Sequence, residues 1–207
     1  MSEDEFYDLY EESLRLLSEG KWAEAEIAHK KLVTLKPNTS IYWTGLARCQ
    51  LAQQKISDAE ESAKKALALD EKTHYNWNLM GCVLKARNDF HAAEPYFRKA
   101  LEINPKDSTS WSGLATILLG MGKDSDAEAA AKRSIELNQR FFEGWLVLGL
   151  VYLRSHKLKE SEASFRKLTE VAPNMPEAFD FLAIALSAQG KQTDAAAAKA
   201  MARTLRT

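Results

Sequence analysis

Cysteine, proline and glycine are all scarce in this 207-residue chain, with two, five and nine copies respectively. Cys49 and Cys82 stand far apart without C-x-x-C spacing, which argues against a disulfide framework and against a zinc site, and leaves two reduced thiols. No apolar run approaches the roughly 20 residues needed to span a bilayer, and Met1 to Glu12 is acidic where a secretory leader would be basic and then apolar. These absences make the cytoplasm the expected compartment and exclude membrane insertion. Charge of either sign is not in excess: 28 basic residues meet 29 acidic ones, a formal net charge of -1. Without a basic surplus or a Lys/Arg cluster interleaved with aromatics, nucleic acid is not an expected partner. A Gly-rich phosphate loop and metal-ligand spacing are missing too, so no cofactor or metal is expected.

What the chain has is a period. Four of its five tryptophans, Trp43, Trp77, Trp111 and Trp145, are 34 residues apart, and the same step leads back to Leu9 and forward to Phe179. Counting by 34 divides the chain, without insertion or deletion, into 6–39, 40–73, 74–107, 108–141, 142–175 and 176–207, after an acidic lead-in at 1–5. Position 8 of each repeat is Ser13, Ala47, Gly81, Ala115, Gly149 or Ala183, and position 20 is Ala25, Ala59, Ala93, Ala127, Ser161 or Ala195. Small residues at two fixed places, with large ones beside them, are what two closely approaching antiparallel helices require. Each repeat is thus expected to be helix A, a turn and helix B.

Position 15 supports the turn. It carries Gly20, Gly122, Gly190 and Asn88, which tolerate the left-handed conformation that closes a helix, with Gln54 and His156 as exceptions. Position 19 is acidic in five repeats, at Glu24, Asp58, Asp126, Glu160 and Asp194, and suits the positive end of helix B. Pro37, Pro105 and Pro173 mark the ends of B helices. Pro95 falls early in the third helix B, which is expected to continue through it. The aromatic series at position 4 is expected in the core between repeats, where each ring is worth at most roughly 4–6 kcal/mol, rather than as a stacking platform for bases or sugars.

In the fifth repeat Trp145, Leu148, Gly149 and Tyr152 spell W-x-x-L-G-x-x-Y, followed by Ser161, Phe165 and Pro173. This resembles the tetratricopeptide repeat (TPR) signature, departing from it only in Ser161 for alanine. The resemblance covers 6–207 and implies an all-α fold, a right-handed superhelical α-solenoid of stacked helix-turn-helix repeats with A helices lining a concave groove. It further implies a non-enzymatic adaptor or scaffold for a protein or peptide partner. The groove positions of the family fall here on Tyr7, Tyr10 and Leu14, then on Thr44 and Arg48, and then on Tyr75, Asn78 and Lys85. In the fifth repeat they fall on Leu146, Leu150, Leu153 and Arg154. The three leucines form one stripe, either a site for an amphipathic helix or extended peptide or a surface that neighbouring repeats cover. Arg48 and Lys85 either receive a carboxylate or are solvated charges.

The heat-shock-protein carboxylate clamp of some TPR co-chaperones is not expected, because its positions hold Tyr10, Leu14, Gly45, Tyr75 and Leu79. Catalysis finds no constellation: His29, His74, His91 and His156 share no repeat position and no common nucleophile. Glu60, Glu61, Lys64 and Lys65 read as a solvated face of helix B. The acidic start and basic end of the chain also admit a homo-oligomer assembled head to tail, and a last repeat that stops two residues short admits a regulatory TPR domain of a longer protein.

Overall fold

The computed structural model describes residues 2–207. Among them all regular structure is α-helical, in twelve helices, and the chain divides into two compact units, 1–105 and 106–207. In the first unit α1 (Glu3–Ser18) pairs with α2 (Trp22–Leu35), α3 (Ser40–Ala52) with α4 (Ile56–Leu69), and α5 (His74–Ala86) with α6 (Phe90–Ile103). In the second, α7 (Ser108–Gly120) pairs with α8 (Asp124–Leu137), α9 (Phe142–Arg154) with α10 (Leu158–Val171), and α11 (Pro176–Ala188) with α12 (Gln192–Thr204). Within each unit the second helix of a pair also packs on the first helix of the next.

The first helix begins earlier than the repeat count places it. Ser2 accepts a hydrogen bond from the Glu5 amide at 3.2 Å and the Glu5 carboxylate accepts one from the Ser2 amide at 2.7 Å, a reciprocal cap. Glu3, Asp4 and Glu5 therefore form the acidic first turn of α1, where the helix dipole favours them. Helix α6 runs through Pro95, which sits early enough to cost one internal bond.

The small residues at positions 8 and 20 are buried in every pair. What covers them differs. Where position 8 is glycine, position 24 is phenylalanine: Phe97 lies on Gly81 and Phe165 on Gly149, so closely that a Cβ on Gly149 would stand 2.3 Å from the ring. Where position 8 is Ala47 or Ala115, position 24 is Ala63 or Ala131, and all four are fully buried. The chain thus uses two solutions to one packing problem.

All six turns at position 15 adopt the left-handed conformation, Gln54 (φ 61°) and His156 (φ 57°) as well as Asn88 and the three glycines. The hairpin closure demands it, whichever side chain is present. A non-glycine residue there costs about 1–2 kcal/mol, of which glycine's greater freedom in the unfolded chain returns part. Gln54→Gly and His156→Gly are therefore each expected to stabilise their unit by about 0.5–1 kcal/mol, seen as a rise in Tm of about 1–4 °C; an unchanged or lower Tm would contradict this reading of the turns.

The tryptophans lie at the margin of the core, partly buried, and not at its centre. Their indole N–H groups donate to a main-chain carbonyl six residues upstream: Trp43 to Pro37 at 2.7 Å, Trp77 to Glu71 at 2.8 Å and Trp145 to Gln139 at 2.9 Å. Each ring so fastens the loop that delivers its own helix. Phe97, Phe165, Leu32, Met80, Ile117 and Leu118 are among the large side chains that are fully buried.

Junctions within a unit carry a second, polar device. Glu26 accepts from Lys30 of its own helix (2.7 Å) and, on the next pair, from Lys55 (2.6 Å) and Gln53 (2.8 Å). Glu162 does the same with Arg166 (2.8 Å), Lys191 (2.6 Å) and Gln189 (2.8 Å). Glu60 joins Lys64 to Arg87, each at 2.6 Å. Glu60 is thus tied into a junction and is not merely part of a solvated face, while Lys64 pairs with it from the exposed side of the same helix. Burial alone would raise the Glu26 carboxyl, but its bonds to Lys30, Lys55 and Gln53 outweigh that and hold it at about 2. For Glu162, Lys191 acts first, burial opposes, and Arg166 and Gln189 complete a fall to about 2.

Candidate functional site

Large apolar side chains are exposed on the A helices of the first unit. Tyr7, Ile41 and Tyr75 occupy position 2 of the first three repeats, on α1, α3 and α5, and are 54%, 53% and 62% exposed. Helical geometry puts positions 2, 5 and 9 on one face, so Leu14, itself exposed, extends the apolar area along α1. Tyr10 is partly buried, its ring edge-on to Tyr42 with centroids 5.3 Å apart, which makes it a wall of the face rather than a free contact. Tyr75 leans on His74, with ring centroids 4.0 Å apart. Lys36 stands over Phe6 at 3.9 Å and 6.0 Å from the Tyr7 ring, an attraction between ammonium and aromatic face.

The polar residues of this face divide. Thr44 is committed internally, since its hydroxyl is 3.1 Å from the Ser40 carbonyl and 2.8 Å from Asn76 Oδ1. Asn76 is buried and donates to the carbonyls of Asp70 (2.8 Å) and Ala66 (3.2 Å) and to Ser40 Oγ (2.9 Å). It closes the C-terminal end of α4, whose last carbonyls lack helical partners. Asn78 is partly buried and its Oδ1 receives a weak contact from Cys82 Sγ at 3.7 Å. Arg48 is exposed on α3 and Lys85 partly exposed near the end of α5.

In the second unit the predicted stripe is largely covered. Leu146 and Leu150 pack, with Trp145 and Phe181, against the core of Phe165, Leu168 and the buried face of α11, and Leu153 is partly buried. Neighbouring helices take the apolar surface because α11 presents Ala178, Leu182 and Ala185 toward it. Arg154 is a structural clasp, donating to the Leu119 carbonyl at 3.0 Å and pairing with Asp124 at 3.2 Å. The charges near the chain ends are also partnered within their units: Arg206 with Asp180, and Arg15 with Glu12 and Glu19.

A family model described as the middle TPR-like domain of cilia and flagella-associated protein 70 matches residues 84–206, and one described as tetratricopeptide repeat matches residues 10–72. The chain belongs to the TPR family. No match was found among curated proteins. Among solved structures, the type IV pilus biogenesis factor PilW is 17% identical over 100% of both chains with a TM-score of 0.84. PilF of Pseudomonas aeruginosa is 18% identical, over 94% of this chain and 89% of that one, with a TM-score of 0.79. YrrB, described as a TPR protein with an unusual peptide-binding site, is 21% identical, over 86% of this chain and 92% of that one, with a TM-score of 0.62. At these identities the likeness is one of fold, an all-α TPR solenoid.

TPR folds are common among protein-interaction adaptors and generally carry no catalytic groups. Among the described residues no cluster of His, Cys, Asp or Glu is placed to hold a metal ion, and no helix is long and apolar enough to cross a membrane. Burial pushes the Cys49 thiol up to about 11, far from a nucleophile's range.

Two groups of structural residues escaped the sequence reading. The junction glutamates were legible, since position 21 is Glu26, Glu60, Glu94, Glu128 and Glu162 in five successive repeats. Asn76 was not, because position 3 varies from one TPR to the next.

Proposed function

We propose that the protein is a non-enzymatic adaptor that holds a segment of another protein against the A-helix face of its first unit, in the cytoplasm. The observation that carries this is the row Tyr7, Ile41 and Tyr75: three bulky side chains at one position of successive A helices, each more than half exposed. At the same position of the second unit stand Thr109, Glu143 and Glu177. Exposed apolar rows of this kind favour association, because covering them removes apolar area from water. The family's frequent use in interaction scaffolds supports the reading, as does the division into six repeats beginning at residues 6, 40, 74, 108, 142 and 176.

The test is capture from an extract of the cells that make the protein, with immobilised wild type beside a Tyr7→Ala/Ile41→Ala/Tyr75→Ala variant of equal helicity. Direct partners, identified by cross-linking to the face, are expected to fall about ten-fold or more in the variant, since two or three anchors of about 1 kcal/mol or more each are removed. Equal recovery of every cross-linked partner would remove the A face of the first unit from the account.

A further inference from the structure

The charges of the first unit are sorted by helix type. Residues 1–105 hold fourteen basic and seventeen acidic side chains, yet α3 and α5 contain no Asp or Glu at all. Their side chains of permanent charge are Arg48 and Lys85. Lys30, Lys55, Lys64, Arg87, Arg98 and Lys99 are each within 3 Å of a carboxylate, while Arg48 and Lys85, like Lys31, Lys36, Lys65 and Lys72, make no ion pair among the described residues. On α1, Asp8 and Glu12 lie off the face that carries Tyr7 and Leu14, whereas Glu11 stands one turn from each and shares it. Within a unit of acidic surplus, α3 and α5 thus present a stretch of that face whose permanent charge is positive.

The two chemistries also occupy different ends of the helices. Tyr7, Ile41 and Tyr75 stand within the first five residues of α1, α3 and α5, while Arg48 lies seven residues beyond Ile41 and Lys85 ten beyond Tyr75. At 1.5 Å per residue these separations are about 10 and 15 Å along the helix axes. A chain crossing the helices meets an apolar edge on one side and a cationic edge on the other. An extended segment sends successive side chains to opposite sides of its backbone, and the arrangement fits one whose apolar and acidic residues alternate.

We infer that the partner segment of this face is extended and amphipathic, with carboxylates directed at Arg48 and Lys85 and the alternate, apolar side chains at Tyr7, Ile41 and Tyr75. This rests on the adaptor reading above and names the chemistry of what that face takes. Carboxylates on guanidinium and ammonium groups make charge-assisted hydrogen bonds, and complementary charge sets the register of the segment across the helices. At the repeat positions of Arg48 and Lys85 the second unit carries Thr116, Leu150 and Ile184, and Leu119, Leu153 and Ser187, and so offers the same ligand no cation there.

Selection of a random dodecapeptide library displayed on phage against the full chain tests this, followed by affinity measurements on the enriched peptides. Enriched sequences are expected to alternate acidic with aliphatic or aromatic residues. Their affinity is expected to fall about ten-fold or more in Arg48→Gln/Lys85→Gln, to weaken with added salt, and to be unchanged in Glu177→Gln. Enrichment with no more acid than the starting library, or indifference to Arg48→Gln/Lys85→Gln, overturns the inference. If such peptides still require Tyr7, Ile41 and Tyr75, the face itself stands and only the acidic preference falls. Peptides indifferent to both sets of changes, or no enrichment, overturn both.

Discussion

Gly149→Ala is expected to destabilise the second unit by about 1–2 kcal/mol, although alanine is the better helix former. The added Cβ would stand 2.3, 2.6 and 2.7 Å from Cε1, Cδ1 and Cζ of Phe165. Phe165 is fully buried and stacked on Phe181 at 5.5 Å, so its ring has no free direction in which to turn. Overpacking of this kind costs about 1–3 kcal/mol or more, against about 1 kcal/mol gained in helix propensity. Phe165→Ala alone should cost about 3–5 kcal/mol through the cavity it leaves. The double variant, however, recreates the pair that the chain itself uses at Ala47 with Ala63 and at Ala115 with Ala131. Its cost should fall short of the sum of the single changes by at least about 1 kcal/mol, which a double-mutant cycle in urea measures. Additive losses, or a neutral Gly149→Ala, would show that the two positions are not one packing decision.

Acid should act on the first unit before the second. His29 is 1% exposed, wedged between α2 and α3 where a Cβ on Gly45 would stand 2.1 Å from its ring. Burial first and the Arg48 guanidinium second lower its pKa to about 4, with the Tyr42 backbone opposing weakly. The unfolded chain, at its ordinary value of about 6.5, binds the proton over a range where the folded chain does not. Stability is therefore full above about pH 6.5 and falls as pH drops toward 4, by about 3 kcal/mol in total. The junction carboxylates titrate in a separate window: Glu26 and Glu162, held at about 2, contribute above about pH 4.5 and lose that contribution as pH falls through 2. His29→Leu should abolish the loss between pH 6.5 and 4 and leave the lower one in place. Thermal melts from pH 7 to 3 decide it; parallel curves for the two proteins would refute the assignment of the upper window to His29.

This acid loss falls on the helices that present the proposed face. Arg48 is one of its two cations and one of the groups that depress the pKa of His29. Removing that charge in Arg48→Gln should ease the protonation of His29, so the upper window should move toward higher pH.

The 34-residue period, the small residues at positions 8 and 20 and the turn residues at position 15 determined by themselves that this chain is a row of helical hairpins of the TPR type. The reason is that such constraints are local: a close helix crossing admits only a small side chain, and a hairpin turn of this kind demands a left-handed residue. Even the apparent exceptions, Gln54 and His156, follow because the closure overrides side-chain preference. Position 2, the helical phase where Tyr7, Ile41 and Tyr75 stand, was pointed to by the resemblance to the family and not by the period itself. Only the tertiary structure decided whether a side chain on that phase is free. Leu146 and Leu150 share the phase of exposed residues but are covered by α11, Thr44 is bound by Asn76, and Arg154 is tied to Leu119 and Asp124. Each depends on which atoms a neighbouring helix brings within contact distance, and a repeat pattern prescribes that a neighbour exists without prescribing its side chains.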